Sequence, residues 1–138
     1  MFPLNQNSTS IALTNGNTFT GDWYDVTKYN YSNLVCVAVT DQDGVLYIDF
    51  STDGSNVDES HSYTVVGSVP EKAIVAISAR YARIRFLNNS GYDQTYLRIQ
   101  SSLIDITIQP GETITIAARS LTGASSYVVA GLNTREDQ

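Results

Sequence analysis

The fold is decided between residues 33 and 51, NLVCVAVTDQDGVLYIDFS, where two apolar runs flank Asp43-Gly44. In the second run, 45–51, Leu46, Ile48 and Phe50 alternate with Tyr47, Asp49 and Ser51. Successive strand side chains point to opposite faces, so the first trio faces a core and the second faces away from it. The first run, 33–40, sets Val35, Val37 and Val39 against Leu34, Cys36 and Ala38 and is apolar on both sides. That pattern fits a central strand covered on both faces, or a strand with one face against a partner chain. Asp-Gly between two such runs is a strong hairpin signal, which predicts that 33–40 and 45–51 pair directly.

The same texture continues in both directions. The 138 residues include 12 Val, 11 Ile and 14 Thr, residues that fit a pleated surface and lose rotamer freedom in helices. Strands are predicted near 10–13, 22–26, 33–40, 45–51, 61–66, 72–78, 81–88, 94–101, 103–108, 112–118 and 126–131. In 81–86, Ala82, Ile84 and Phe86 face inward and Tyr81, Arg83 and Arg85 outward. In 94–100, Leu97 and Ile99 face inward, leaving Gln94, Tyr96, Arg98 and Gln100 outside. Asp53-Gly54 turns the chain after 45–51, and a Gln109-Pro110-Gly111 loop joins two Ile-alternating strands. The one helix candidate, 70–80 behind Pro70-Glu71, is disfavoured by Ile74, Val75 and Ile77. Short strands with regular turns and no room for crossover helices predict an all-β chain, an antiparallel β-sandwich. The predicted organisation is an N-terminal arm over 1–18, one domain over 19–133 and a frayed polar tail over 134–138.

Composition removes several functional classes. Eight Lys and Arg against 14 Asp and Glu give a net charge of −6, the wrong sign for displacing counterions from a nucleic acid or for binding an anionic membrane. No run is apolar enough to cross a membrane as a helix, and the N-terminus MFPLNQN lacks the basic and apolar regions of a secretory signal. The expected partners therefore include neither nucleic acid nor membrane. One cysteine makes no internal disulfide and no zinc cluster.

Catalytic chemistry finds few candidates. A Ser-His-Asp or Cys-His mechanism needs an imidazole beside the nucleophile. His61 is the sole histidine, and Cys36 lies in a Val-rich strand where a buried, inert thiol is expected. Carboxylate pairs occur at Asp22/Asp25, Asp41/Asp43 and Asp53/Asp58, but neither the run 41–44 nor the run 53–59 matches a calcium loop, and Asp and Gly make turns without any ion. No catalytic, cofactor or metal residue is predicted, and the chain is expected not to be an enzyme.

The arginines say more. Four of six, Arg80, Arg83, Arg85 and Arg98, fall between positions 80 and 98. A face built from Tyr81, Arg83, Arg85, Tyr96, Arg98 and Asp49 is the candidate site. It reads as a sheet surface tied by Arg–carboxylate and Arg–aromatic contacts, as a subunit interface, or as a sugar-binding face.

Several segments together carry a family resemblance: Phe19-Thr20-Gly21-Asp22-Trp23-Tyr24-Asp25-Val26, then Phe50 through Asp58. Ala79-Arg80-Tyr81-Ala82-Arg83-Ile84-Arg85-Phe86, Asn88-Asn89-Ser90-Gly91 and Gln94 through Gln100 complete it. The stretch Phe19 to Leu103 resembles a module of tailed-bacteriophage virion proteins, similar to galactose-binding-like jelly rolls and found in capsid decoration (cement), tail and fibre proteins. The resemblance implies a jelly-roll sandwich in which Trp23 plugs one end. It also implies a capsid decoration subunit, a homotrimer, that binds the major capsid protein on the virion surface after synthesis in the host cytoplasm. The alternative it leaves open is a tail, baseplate or head-fibre module that recognises host glycans.

Overall fold

The computed structural model describes residues 1–106. Nine strands lie there: β1 (Phe2–Pro3), β2 (Thr18–Thr20), β3 (Tyr24–Asp25), β4 (Asn33–Thr40), β5 (Gly44–Ser51), β6 (Glu59–Val65), β7 (Glu71–Ala76), β8 (Tyr81–Leu87) and β9 (Leu97–Ile104), with a short 3-10 turn at Asn5–Asn7. One sheet has the order β1-β9-β4-β7 and the other β2-β8-β5-β6, with β3 also paired to β8. Every pairing is antiparallel. This interleaved order, with four strands in the first sheet and five, counting β3, in the second, is that of a jelly-roll β-sandwich, as expected. The predicted strands at 112–118 and 126–131, the Gln109-Pro110-Gly111 hairpin, the domain end at 133 and the tail over 134–138 lie outside the described residues.

Between the sheets sit Leu34, Leu46, Ile48, Phe50, Ile84, Phe86, Leu97 and Leu103, all fully buried. They come from β4, β5, β8 and β9; those on β5 and β8, and Leu97 on β9, are residues that the sequence pattern assigns inward, while on β4, apolar on both sides in sequence, the structure selects the face of Leu34. Strand β7 covers the segment where a helix was the minor expectation; Ala73 and Val75 face the core in strand alternation.

Asp43-Gly44 does not form a hairpin. β4 pairs with β7 and β9, and β5 pairs with β6 and β8, so the link between β4 and β5 crosses from one sheet to the other. Gly44 is needed for space: a Cβ there would sit 2.4 Å from Cζ of Phe86. Asp43 instead accepts the Gly67 N–H at 2.8 Å, tying two connections together. Asp53-Gly54 does turn a hairpin, β5 to β6, with Gly54 at φ +75°.

The two strands expected at 94–101 and 103–108 are one strand, β9, ending at Ile104. Ser101 continues the ladder by pairing with Cys36, and its hydroxyl donates to the Asn7 carbonyl at 2.7 Å. Gln94, expected outside, is buried, and its Oε1 accepts the Leu13 N–H. No strand forms at 10–13; Leu13 and Gln94 exchange hydrogen bonds there, and just before it Thr9 makes a single bridge to Ile99.

The first 18 residues are not a free arm. β1 pairs with β9, Leu4 is buried in the core, and Asn7 is 1% exposed between the sheets. The Asn7 side chain accepts the Ile84 N–H at 2.7 Å and donates to the Asp22 carbonyl at 2.9 Å. One residue thus joins β8 and the β2–β3 link to β9, which it reaches through Ser101. Its site is tight enough that residue 21 must be glycine, because a Cβ there would lie 2.0 Å from the Asn7 Oδ1.

Candidate functional site

The antiparallel register of β5 against β8 sets Asp49 opposite Arg83 and Tyr47 opposite Arg85. All four side chains therefore share the outer face of the second sheet, where strand alternation puts polar residues. Asp49 nonetheless has no exposed surface, because the arginines fold over it. Arg85 donates through Nε at 2.5 Å and through Nη2 at 3.1 Å; Arg83 donates through Nε at 3.2 Å, and the Ser60 hydroxyl at 2.7 Å. Burial opposes ionisation of Asp49, but the hydrogen bonds from Arg85, Ser60 and Arg83 outweigh it and hold the carboxyl below the usual range.

Each guanidinium also lies on an aromatic ring. Arg83 sits 4.4 Å from the Trp23 ring centre and Arg85 4.3 Å from that of Tyr47, distances that suit cation–π attraction. Trp23 is therefore a stacking partner at the surface, half-buried, and does not plug the sandwich. Tyr81 stands at the start of β8, where Arg80 lies 5.3 Å from its ring and pairs with Asp25.

Arg98 and Tyr96 do not join this face. Arg98 belongs to β9 in the other sheet, opposite Val39, and stacks on Tyr96 at 5.1 Å. Of the six predicted residues, Tyr81, Arg83, Arg85 and Asp49 share one sheet and Tyr96 and Arg98 lie apart from them.

The acidic turns are satisfied by the chain itself. Asp53 accepts the backbone N–H groups of Asn56 and Ser55 and the Asn56 and Ser51 side chains, which keeps it well below the ordinary carboxylate range. Asp41 accepts the Thr95 hydroxyl and the Thr95 and Tyr96 N–H groups, and Asp58 accepts from Thr52. Oxygens committed to N–H and O–H donors are poor cation ligands, and among the described residues no cluster could hold a metal ion. His61 lies 3.3 Å from Glu59, whose other oxygen accepts the Ser78 hydroxyl. The serine thus contacts the carboxylate and not the imidazole. The Cys36 thiol is buried, and desolvation pushes it up to about 11.

An aromatic cluster escaped the sequence reading. The Phe2 ring lies 5.0 Å from Tyr29, 6.1 Å from Tyr24 and 6.2 Å from Tyr31, beside a cleft of about 300 Å³ lined by Phe2, Leu4, Gln6 and Tyr24. No local pattern joins residue 2 to residues 24–31, so only the packing of the N-terminus could have found it.

The outer face of the first sheet carries an apolar row flanked by polar residues: Lys72 and Gln100 lie on either side of Val37, and Arg98 lies beside Val39. Val35, Val37 and Val39 are half-buried, and Ile74, opposite Val35, is 44% exposed. The inner residues of β4, Leu34, Cys36 and Ala38, are fully buried in the core.

The fold thus defines a small all-β protein of jelly-roll topology. The chain belongs to the family of the YqxG N-terminal domain, described as uncharacterised, whose model matches residues 2–104. Among solved structures it is similar to the PBSX exported protein XepA (TM-score 0.61, 20% identity), with 89% of this chain covered and 46% of XepA. The chain thus spans less than half the length of XepA. It is also similar to PirA (TM-score 0.48, 16% identity, 69% of this chain and 93% of PirA). A capsular polysaccharide assembling protein, CapF from Staphylococcus aureus, aligns at TM-score 0.43 and 18% identity over 76% of this chain and 26% of its own. No curated protein sequence matches the chain.

Proposed function

We propose that this chain is a non-catalytic structural protein of a bacteriophage particle, and specifically a capsid decoration subunit that binds the major capsid protein as a homotrimer on the head surface. The observation that carries the reading is the outer face of the first sheet, where Val35, Val37 and Val39 line up beside the exposed Ile74. A sheet face of that kind lowers its free energy when another protein surface covers it, which is how an adhesive subunit works. Many such contacts repeated over a lattice add through multivalency without any one being strong. The phage-module resemblance of residues 19–103 supports the setting, and the likeness to the PBSX exported protein XepA supports the fold.

The test is to delete the gene from the phage that carries it and to compare purified particles. Expected are virions that lack this protein, still assemble, and lose infectivity at lower temperature. Particles of unchanged composition and unchanged heat resistance would refute the proposal. Val35→Asp, which puts a charge beside the exposed Ile74, should abolish incorporation into the head while leaving the isolated chain folded.

A further inference from the structure

The Asp49 network leaves a charge unanswered. One carboxylate faces two guanidinium groups, so this patch is positive by one charge on a chain whose net charge is −6. A guanidinium has five N–H donors. Arg83 gives only its Nε to Asp49, and Arg85 gives its Nε and Nη2. Both Nη groups of Arg83 and the Nη1 of Arg85 therefore have donors to spare among the described residues.

Those donors are fixed in place and reachable. Both Nε groups bind the same oxygen of Asp49, which sets the two guanidinium heads side by side. Trp23 and Tyr47 fix their planes, and the side chains are 22% and 28% exposed. A fork already held in position loses little conformational freedom on binding, and its geometry matches the oxygens of a carboxylate or phosphate. The rim bears hydroxyls: Thr20 lies opposite Arg85 across β2, Ser62 lies opposite Tyr47 across β6, and both are exposed.

We propose that Arg83 and Arg85 form a preset clamp for the oxyanion of an acidic glycan, a carboxylate or phosphate substituent, with Thr20 and Ser62 meeting the sugar hydroxyls. The hydroxylated rim favours a saccharide, whose own hydroxyls can exchange hydrogen bonds with Thr20 and Ser62. The site deepens the glycan-recognition alternative and is independent of the capsid reading, since the two use opposite sheets.

The experiment titrates the purified chain with glucuronate, glucose 1-phosphate and glucose at low salt, following the Trp23 indole and arginine Nε–H signals by NMR. Expected is a saturable shift with at least one acidic sugar and none with glucose; which acid responds distinguishes carboxylate from phosphate. Affinity should drop about tenfold in Arg83→Lys, which keeps the charge and removes the fork, and fall with added salt. Arg98→Gln, on the other sheet, should bind as the parent does. Arg83→Lys carries the test because Arg85 makes two of the bonds to Asp49, and a thermal melt of each variant confirms folding. An equal response to glucose, full affinity in folded Arg83→Lys, or no shift with either acid would overturn the proposal. None of these results bears on whether virions carry the protein.

Discussion

Replacing Asn7 with alanine tests whether the N-terminal segment belongs to the sandwich. The substitution removes two hydrogen bonds, from the Ile84 N–H at 2.7 Å and to the Asp22 carbonyl at 2.9 Å. Ile84 is fully buried, so its N–H is left without a partner, a loss of about 1–3 kcal/mol. Asp22 is exposed and its carbonyl can turn to water, so that bond counts for only about 1 kcal/mol. The expected cost is about 2–4 kcal/mol, a large part of the roughly 5–15 kcal/mol that holds a domain folded. At about 4 °C per kcal/mol for a domain near this size, Tm should drop by about 8–16 °C. Urea unfolding followed by tryptophan fluorescence measures the same quantity independently. Asn5→Ala is the control, since Asn5 is exposed and its side chain makes no hydrogen bond within the described residues. If Asn7→Ala unfolds within about 0.5 kcal/mol of the parent, the change is no larger than an ordinary surface substitution and the account of this segment is wrong.

Gly44→Ala should destabilise by about 1–3 kcal/mol in the same assay, because its Cβ must displace Phe86 or the Leu87 carbonyl. Stability should fall as pH drops below about 4. Asp25, Asp41, Asp49 and Asp53 all titrate below their ordinary value when folded, so the unfolded chain binds more protons there, and the stabilisation, complete above the unfolded pKa, is lost as pH passes down through the folded ones. Melting at pH 6 and pH 3 checks this, and Asp53→Asn should shrink the difference, since the amide oxygen still accepts from the backbone but no longer takes up a proton. Cys36 should resist a thiol reagent at pH 8 in the native state and react fully in denaturant, as its burial and raised pKa require; rapid native labelling would show that β4 opens.

The strands that carry the core were legible because their patterns are local. Alternation in 45–51 and 81–86 assigns every inward residue of β5 and β8, since burial on one face imposes period two whatever the partner strand. The candidate site was half legible for the same reason. Strand parity puts Asp49, Arg83 and Arg85 outward, but only the register of β5 on β8 brings them together. Arg98 and Tyr96 have the same parity and went to the other sheet, because parity names a face and not a sheet.

The sequence by itself determined an all-β chain, the inward residues of its central strands, and an acidic surface, properties that depend on neighbours along the chain. Tertiary structure decided which strands meet, and with that why Gly44 is a glycine, why Asn7 is buried and which arginines share a carboxylate. A jelly roll joins strands far apart in sequence, so its pairings follow from filling one core from both sheets at once, and no short window of residues contains that condition.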